Sequence, residues 1–222
     1  MAHYRLHPDP RSSHQLVSRL VRRRAPRAVL DVGAAEGLLG QALAGSGMVL
    51  DAIEPNPQWA GAARPLYRKV YAATVEAVEL EPGAYDAIVC ADVLEHLVDP
   101  VAALRRLKSA AAPGAVFLVS VPNIAHLAVR LLLLSGRFPS MERGPLDKTH
   151  LHFYTRATAE QMLAAAGLRV TAVHATAAPL DEIWPRGRGG LLFRALTAGQ
   201  HGAVWLWPGL LGYQWLFEAQ VA

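Results

Sequence analysis

The sequence predicts an α/β fold in which a mainly parallel sheet of seven strands carries helices on both faces. Short, continuous apolar runs, such as residues 28–32 and 115–121, are typical of strands that are buried on both faces. These runs alternate with helical stretches, which is the order expected of parallel strands joined by helical crossovers. The chain has 222 residues, of which 52% are hydrophobic, and this suffices for one large domain with a buried core.

The seven strands are predicted, in chain order, at residues 28–32, 48–53, 69–71, 85–90, 115–121, 169–176 and 213–221. Helices are predicted at residues 13–24, from a glycine-rich turn to about residue 44, and at 57–64, 92–97, 101–111 and 158–166. The segment 123–138 is predicted to form a further apolar helix, which Gly136 ends.

The domain organisation follows from these elements. Residues 1–12 are predicted to form a loose N-terminal arm, and residues 13–222 a single domain. Two parts of this domain depart from the regular alternation. Residues from about 123 to 156 separate the fifth strand from the next predicted helix, and residues from about 177 to 211 form an apolar insertion before the last strand.

Positive charge is concentrated at the start of the chain. Residues 1–28 contain seven Arg and one Asp, whereas the remainder contains 15 basic and 17 acidic residues. A basic segment can bind phosphates. No RNA-binding module, aromatic stacking motif or long basic surface accompanies it, so nucleic acid is not expected as a partner.

The single cysteine, Cys90, excludes a disulfide framework and a Cys-rich zinc module. The first residues lack the apolar core of a secretory signal, and no uninterrupted run of about 18 apolar residues occurs. We therefore expect a cytoplasmic protein.

The strongest motif is VLDVGAAEG, in which a strand runs into a tight turn and then a helix. Gly33 and Gly37 leave room for a ligand near the backbone, and the helix start offers free N–H groups. Glu54 ends the next strand, where an acidic residue binds the diol of a ribose. A pyrophosphate is disfavoured beside Asp31 and Glu36, whereas a cationic sulfonium with an amino-acid tail fits.

On these residues the chain resembles the class I S-adenosylmethionine-dependent methyltransferases, whose motif is close to D-x-G-x-G-x-G. The resemblance covers about residues 13–176 and the last strand. It implies a Rossmann-like, seven-stranded sheet with an antiparallel last strand, and S-adenosylmethionine as the cofactor. Two positions depart from the family pattern: Ala35 replaces the middle glycine, and Thr74 and Val75 stand where relatives often have an adenine-binding Asp.

The resemblance also implies that segments at about 123–156 act as substrate lids, and it implies a set of cofactor contacts. Asp31, Gly33 and Gly37 match the motif around the methionine end, and Glu54 matches the ribose acid. The other implied contacts are Ala35 at the turn, Pro55 and Asn56 beside the adenine, Thr74 and Val75 after the third strand, and Asp92 at the methionine part.

The segment that begins at Asp92 suggests a metal site. If a helix starts there, Asp92, Glu95 and His96 share one face, and such a group suits Mg²⁺ or Mn²⁺. With His150 downstream, the pattern resembles a metal-dependent branch that includes small-RNA 2′-O-methyltransferases and is similar to ubiquinone-type O-methyltransferases. The alternative is that Glu95 and His96 only support the fold through hydrogen bonds.

Two histidines in the segment THLHFY are candidates for a general base. A hydroxyl acceptor must lose a proton, and an imidazole with a pKa near neutrality suits this task. His152 is the first candidate and His150 the second. The alternative is that both side chains hold the loop through hydrogen bonds.

These features together predict an O-methyltransferase that acts on a small molecule, a sugar or a lipid-linked glycan, with or without metal assistance. An N-methyltransferase and an inactive cofactor-binding partner protein remain alternatives. The apolar residues 123–138, the Arg-rich residues 184–194, Trp205 and Trp207 suit peripheral contact with the inner face of a membrane. Core packing and an inserted helical hairpin explain them equally. A monomer and a homodimer are both compatible with the sequence.

Overall fold

The structure is a computed structural model that describes residues 9–184 and 190–222. Its strands are β1 Ala28–Val32, β2 Val49–Ile53, β3 Lys69–Tyr71, β4 Tyr85–Ala91, β5 Ala111–Pro122, β6 Leu168–Ala175 and β7 Gln214–Val221. Its helices are α1 Ser13–Arg24, α2 Leu38–Leu43, α3 Pro57–Ala63, α4 Pro100–Ser109, α5 Leu127–Leu134, α6 Arg156–Ala165, α7 Leu180–Ile183, α8 Leu191–Leu206 and α9 Pro208–Leu211.

The strands form one sheet in the order β3-β2-β1-β4-β5-β7-β6. The pairs from β3 to β5 are parallel, and β7 is antiparallel to both β5 and β6. The predicted fold class is therefore confirmed, including the antiparallel last strand. The carboxyl ends of β1, β2, β4 and β5 meet at one edge of the sheet, which is where ligands bind in open α/β sheets.

Both faces of the sheet are buried, which explains the continuous apolar runs. Successive residues of β1 and β5 alternate between two cores: Leu30 and Phe117 lie in one, Val29 and Leu118 in the other. Helices α4 and α6 contribute to the first core, and α1 and α2 to the second. A one-residue shift of either strand would exchange the two sets of side chains.

Local capping sets several helix starts. Asn56 accepts hydrogen bonds from the backbone N–H groups of Gln58 and Trp59 at the start of α3. The Asp99 carboxylate accepts from the Ala102 N–H group at the start of α4. A proline follows each of these capping residues, where the missing N–H group costs no helical hydrogen bond.

Three predicted boundaries are wrong. Strand β5 begins at Ala111, four residues before the predicted start. The apolar helix begins only at Leu127, because the His126 side chain accepts the Ala128 N–H group as an N-cap. The helix predicted at 92–97 is reduced to one 3₁₀ turn at Leu94–His96.

Residues 1–8 of the predicted arm lie outside the described residues, as do residues 185–189 of the Arg-rich segment. The described end of the arm contacts α8: the Asp9 carboxylate lies 3.0 Å from His201 Nε2, and the Arg11 guanidinium donates to the His201 carbonyl. The predicted insertion contains α7, α8 and α9. Among the described helices, none has the length and apolar character needed to cross a bilayer.

Candidate cofactor and active site

The glycine turn after β1 is held in an unusual backbone conformation. Gly33, Ala35 and Gly37 all have positive φ, at 72°, 46° and 88°. A Cβ atom at Gly33 would lie 2.4 Å from a methyl group of Val93, and one at Gly37 would lie 2.6 Å from Leu66. The two glycines are therefore needed for the backbone geometry and for close packing against neighbouring loops.

Glu54 holds this turn from the end of β2. Its side chain is buried, and its two oxygens accept the N–H groups of Ala35 and Asn56, both at 2.8 Å. The Ala35 N–H bond helps to stabilise a left-handed conformation that is costly for an alanine. A carboxylate has about four acceptor positions, so Glu54 retains acceptor capacity for a ribose diol.

Asp31 lies at the carboxyl end of β1 and is buried. The Tyr67 hydroxyl donates to Asp31 Oδ2 at 2.5 Å and accepts the Gly40 N–H group at 3.0 Å. Burial raises the pKa of Asp31 to about 7, and the Tyr67 hydrogen bond opposes this rise. The sequence analysis missed Tyr67, because no motif marks it and its role arises only from tertiary contact.

The two positions predicted to lie beside the adenine differ in exposure. The Thr74 side chain is exposed, and its carbonyl accepts the N–H groups of Ala77 and Val78. Val75 is buried in the core on the α4 side of the sheet. Pro55 is exposed after Glu54. Pro55 and Thr74 are therefore accessible at this edge of the sheet, whereas the Val75 side chain faces the interior.

Asp92 does not start a helix, contrary to the prediction. Its φ of 56° is left-handed, and one carboxylate oxygen accepts the Ser120 hydroxyl while the other accepts the Gln214 side-chain amide, both at 2.7 Å. The predicted helical spacing with Glu95 and His96 is thus wrong, because the backbone at Asp92 turns towards β5 and β7. Ser120 and Gln214 are further site residues that the sequence analysis missed.

Glu95, His96 and His150 form a cluster at the same edge of the sheet. Their candidate ligand atoms all lie within 4.8 Å of one another. Glu95 is 0% exposed, and neither carboxylate oxygen has a hydrogen-bond partner among the described residues. Burial and the charge of Asp92 raise the pKa of Glu95 well above its usual value. A buried carboxylate without a partner is costly as an anion, so these surroundings favour its neutral form.

Backbone contacts bring the later histidines to this cluster. The N–H groups of Leu151 and His152 donate to the Glu95 carbonyl, and the Thr149 hydroxyl contacts His96 Nδ1 at 3.2 Å. Burial and the neighbouring His96 lower the pKa of His150, which favours its neutral form. The structure therefore places three of the four predicted metal ligands together and leaves Asp92 with other partners.

His152 points elsewhere. Its Nε2 atom lies 3.4 Å from the Val98 carbonyl, and its ring stacks on Tyr154 with centroids 6.1 Å apart. Of the two predicted base candidates, only His150 belongs to the cluster, and its ring centroid lies 4.8 Å from that of His96.

Comparison with known proteins agrees with this arrangement. A family model described as a methyltransferase domain matches residues 2–173. A ubiquinone biosynthesis O-methyltransferase of Xanthomonas campestris is 34% identical over 117 residues, which are 50% of this chain and 49% of that protein. One from Thiobacillus denitrificans is 30% identical over 162 residues, which are 68% and 69% of the two chains. The chain thus spans about half the length of the first relative and two thirds of the second.

Solved structures show the same fold. An S-adenosylmethionine-dependent methyltransferase from Archaeoglobus fulgidus has a TM-score of 0.63 at 17% identity, over 94% of this chain and 95% of that chain. A 1,6-didemethyltoxoflavin-N1-methyltransferase from Burkholderia thailandensis has a TM-score of 0.61 at 16% identity, over 94% and 77%. At these identities the similarity concerns the fold alone.

The match over residues 2–173 covers more than half of the chain and includes the glycine turn, Glu54, Asp92 and the cluster of Glu95, His96 and His150. The order of the strands and the acidic residues at the ends of β1 and β2 agree with this match. The chain therefore belongs to the class I S-adenosylmethionine-dependent methyltransferases.

Proposed function

We propose that this methyltransferase transfers the methyl group to a hydroxyl oxygen of a small molecule, a sugar or a lipid-linked acceptor. The observation that carries the proposal is the cluster of Glu95, His96 and His150, which combines a buried carboxylate with two imidazoles. It lies at the same edge of the sheet as the glycine turn. The relatives named as ubiquinone biosynthesis O-methyltransferases support oxygen as the methylated atom.

Methyl transfer requires little covalent chemistry from the protein itself. The methyl carbon of S-adenosylmethionine is activated by the positive sulfur, so the enzyme mainly aligns the acceptor with it. A hydroxyl must also lose its proton, and a neutral imidazole can accept it. For the site without a metal ion we assign this role to His150, because its pKa is lowered and it lies in the cluster, and retain His152 as the alternative base. Where His150 binds a metal ion instead, the ion activates the hydroxyl.

Replacing each histidine with alanine separates these assignments. We expect His150→Ala to lower kcat by about 100-fold, within the usual contribution of a general base. His152→Ala is expected to change kcat by less than about tenfold, because His152 contacts the Val98 carbonyl outside the cluster. Steady-state kinetics with a hydroxyl acceptor provide the measurement. Parent-like turnover by both variants would exclude a histidine base.

A divalent metal ion fits the same cluster. The Glu95 oxygens lack hydrogen-bond partners in the described chain, and the two imidazoles supply further ligand atoms. Glu95, His96 and His150 would hold the ion, which would polarise an acceptor hydroxyl and lower its pKa. Without Asp92 the set contains two nitrogen ligands and one carboxylate, so we propose Mn²⁺ or Zn²⁺ ahead of Mg²⁺, which prefers oxygen.

We also propose that the acceptor reaches the enzyme from a lipid surface. Helices α5 and α8 follow β5 and β6 at the carboxyl edge of the sheet. Both expose large apolar side chains, with Leu134 at 84% and Trp205 at 76% exposure. Residues 124–141 and 190–217 contain three arginines and no acidic residue, so we specify an anionic bilayer as the partner.

Vesicle sedimentation tests this surface. We expect the parent protein to sediment with vesicles that contain phosphatidylglycerol and less with phosphatidylcholine alone, because the exposed arginines favour anionic lipid. The double variant Leu134→Ser, Trp205→Ser is expected to lose about 90% of the bound fraction, since burial of both apolar side chains is removed. Val221→Ser, 46% exposed at the opposite edge, is the control.

Equal sedimentation of the parent with both kinds of vesicle would contradict the role of charge. Self-association of the parent without sedimentation, measured by light scattering, would show that a second copy covers the surface instead.

A further inference from the structure

The Tyr67 hydroxyl joins three parts of the glycine-turn region. It donates to the Asp31 carboxylate at the end of β1 and accepts the Gly40 N–H group in α2. Tyr67 itself lies just before β3 and is buried. The side chain of Tyr67 thus connects β1, α2 and the segment before β3 through two hydrogen bonds.

Two glycines make room for the Tyr67 ring. A Cβ atom at Gly40 would lie 2.9 Å from ring atoms of Tyr67, and one at Gly37 would lie 3.3 Å from Cε2 of the same ring. Because neither glycine has a side chain, the ring can approach the start of α2 closely. Tyr67 is fixed by packing as well as by hydrogen bonds, as a side chain that orients another group must be.

We propose that Tyr67 is a positioning residue of the cofactor site, whose hydroxyl orients the Asp31 carboxylate towards the ammonium group of the cofactor's methionine part. This inference rests on the assignment of Asp31 to that part of S-adenosylmethionine. It assigns Tyr67 no contact with the cofactor itself. The Asp31 oxygen that does not accept the Tyr67 hydroxyl remains available for the ligand.

The surroundings of Asp31 give this arrangement a dependence on pH. The ionisable groups that act on Asp31 are Tyr67 before β3 and Glu54 after β2. The buried thiol of Cys90 on β4 also lies near, and the charge of Asp31 raises the pKa of that thiol. Helix α2 contributes the Gly40 N–H group and no ionisable side chain. The pKa of Asp31 is raised to about 7, so its charge changes near neutrality.

The sign of the effect follows from the charge of the ligand. An ammonium group binds the ionised carboxylate more tightly, so affinity is expected to rise with pH through the pKa of Asp31. The Tyr67 hydrogen bond lowers that pKa. Its removal therefore moves the midpoint of the rise to a higher pH and weakens binding at neutral pH.

Two ligands and two tyrosine variants test the proposal by calorimetric titration between about pH 6 and 8.5. S-adenosylhomocysteine carries the ammonium group, whereas 5′-methylthioadenosine lacks the whole amino-acid part. Tyr85→Phe is the matched control, because the Tyr85 hydroxyl donates to the buried Asp51 on the same sheet at 2.8 Å. Both variants remove one hydroxyl from a buried tyrosine–aspartate pair.

We expect Tyr67→Phe to weaken S-adenosylhomocysteine binding by about tenfold at pH 7, the size of one hydrogen bond to a charged group. Its pH midpoint should shift upward, while affinity for 5′-methylthioadenosine should stay within about twofold of the parent. Tyr85→Phe should change neither affinity. Equal losses for both ligands, or no loss with Tyr67→Phe, would overturn the proposal.

Asp31→Asn provides a second route if Tyr67→Phe does not fold. We expect this variant to lose affinity for S-adenosylhomocysteine selectively and to lose the pH dependence, because the amide does not titrate. Retained pH dependence would overturn the inference. Failure of the parent to bind either ligand would instead reject the cofactor site on which the inference rests, whereas a failed O-methylation assay would leave it untouched.

Discussion

Replacing Glu54 with alanine is expected to weaken S-adenosylhomocysteine binding by at least about 100-fold, since hydrogen bonds to a charged group contribute about 1.5–3 kcal/mol each. The carboxylate has two tasks. It anchors the N–H groups of Ala35 and Asn56 in two adjacent turns. In the cofactor site that the family resemblance implies, it also offers acceptor positions to the ribose diol. Alanine removes both at once, and the left-handed backbone at Ala35 loses a supporting contact.

Asp86→Ala is the control for this experiment. The Asp86 carboxylate also accepts two backbone N–H groups, those of Arg27 and Ala28, but it lies at the amino end of the sheet. Its removal should affect stability without affecting ligand affinity. Calorimetric titration of both variants provides the measurement. Similar affinities for parent and Glu54→Ala would exclude Glu54 from the cofactor site.

Glu95→Gln is expected to reduce turnover by about 100-fold or more while the protein remains at least as stable as the parent. Loss of a carboxylate ligand weakens a metal site and its effect on the acceptor hydroxyl. Stability should not fall, because the Glu95 carboxylate is fully buried and lacks hydrogen-bond partners in the described chain. The raised pKa of Glu95 already favours the neutral acid in the metal-free protein, and a neutral amide of similar size costs about as much to bury.

Glu218→Gln offers the contrasting case. Glu218 is also buried, but its carboxylate contacts Arg23, Arg24 and His174. Its partners are partly exposed, so the loss is that of hydrogen bonds to charged groups, about 1.5–3 kcal/mol. We therefore expect Glu218→Gln to lower the denaturation midpoint and Glu95→Gln to maintain or raise it in metal-free buffer.

Metal addition completes the comparison between these two glutamates. Mn²⁺ or Zn²⁺ should stabilise the parent and Glu218→Gln, but not Glu95→Gln, because an ion that binds only the folded state raises its stability. Thermal denaturation with and without metal provides the measurement. Equal stabilisation of Glu95→Gln and the parent would contradict the proposed ligand set, and parent-like turnover would contradict the role of Glu95.

The strands and the glycine turn could be predicted because their signals are local. Val29 and Leu30 face different cores, so the strand is apolar throughout, and this pattern is visible in the sequence. Glu54 could be predicted because it directly follows such a strand. Its contact with the Ala35 N–H group confirms that the two turns lie together, although no ligand contact is thereby tested.

The remaining site residues depend on contacts between distant parts of the chain. Gln214 lies 122 residues after Asp92, and its amide helps to turn Asp92 away from the predicted helix. Tyr67 lies 36 residues after Asp31 in a segment without a motif. The spacing of His150 and His152 does not show which histidine lies beside Glu95. The hydrogen bonds from the N–H groups of residues 151 and 152 to the Glu95 carbonyl determine this.

Titration of S-adenosylhomocysteine into EDTA-treated parent protein tests the cofactor site most directly. The geometry of Asp31, Gly33 and Glu54 requires no metal, so we expect binding with a micromolar dissociation constant and one site per chain. Absence of detectable binding in metal-free buffer would contradict the assignment of this turn to S-adenosylmethionine.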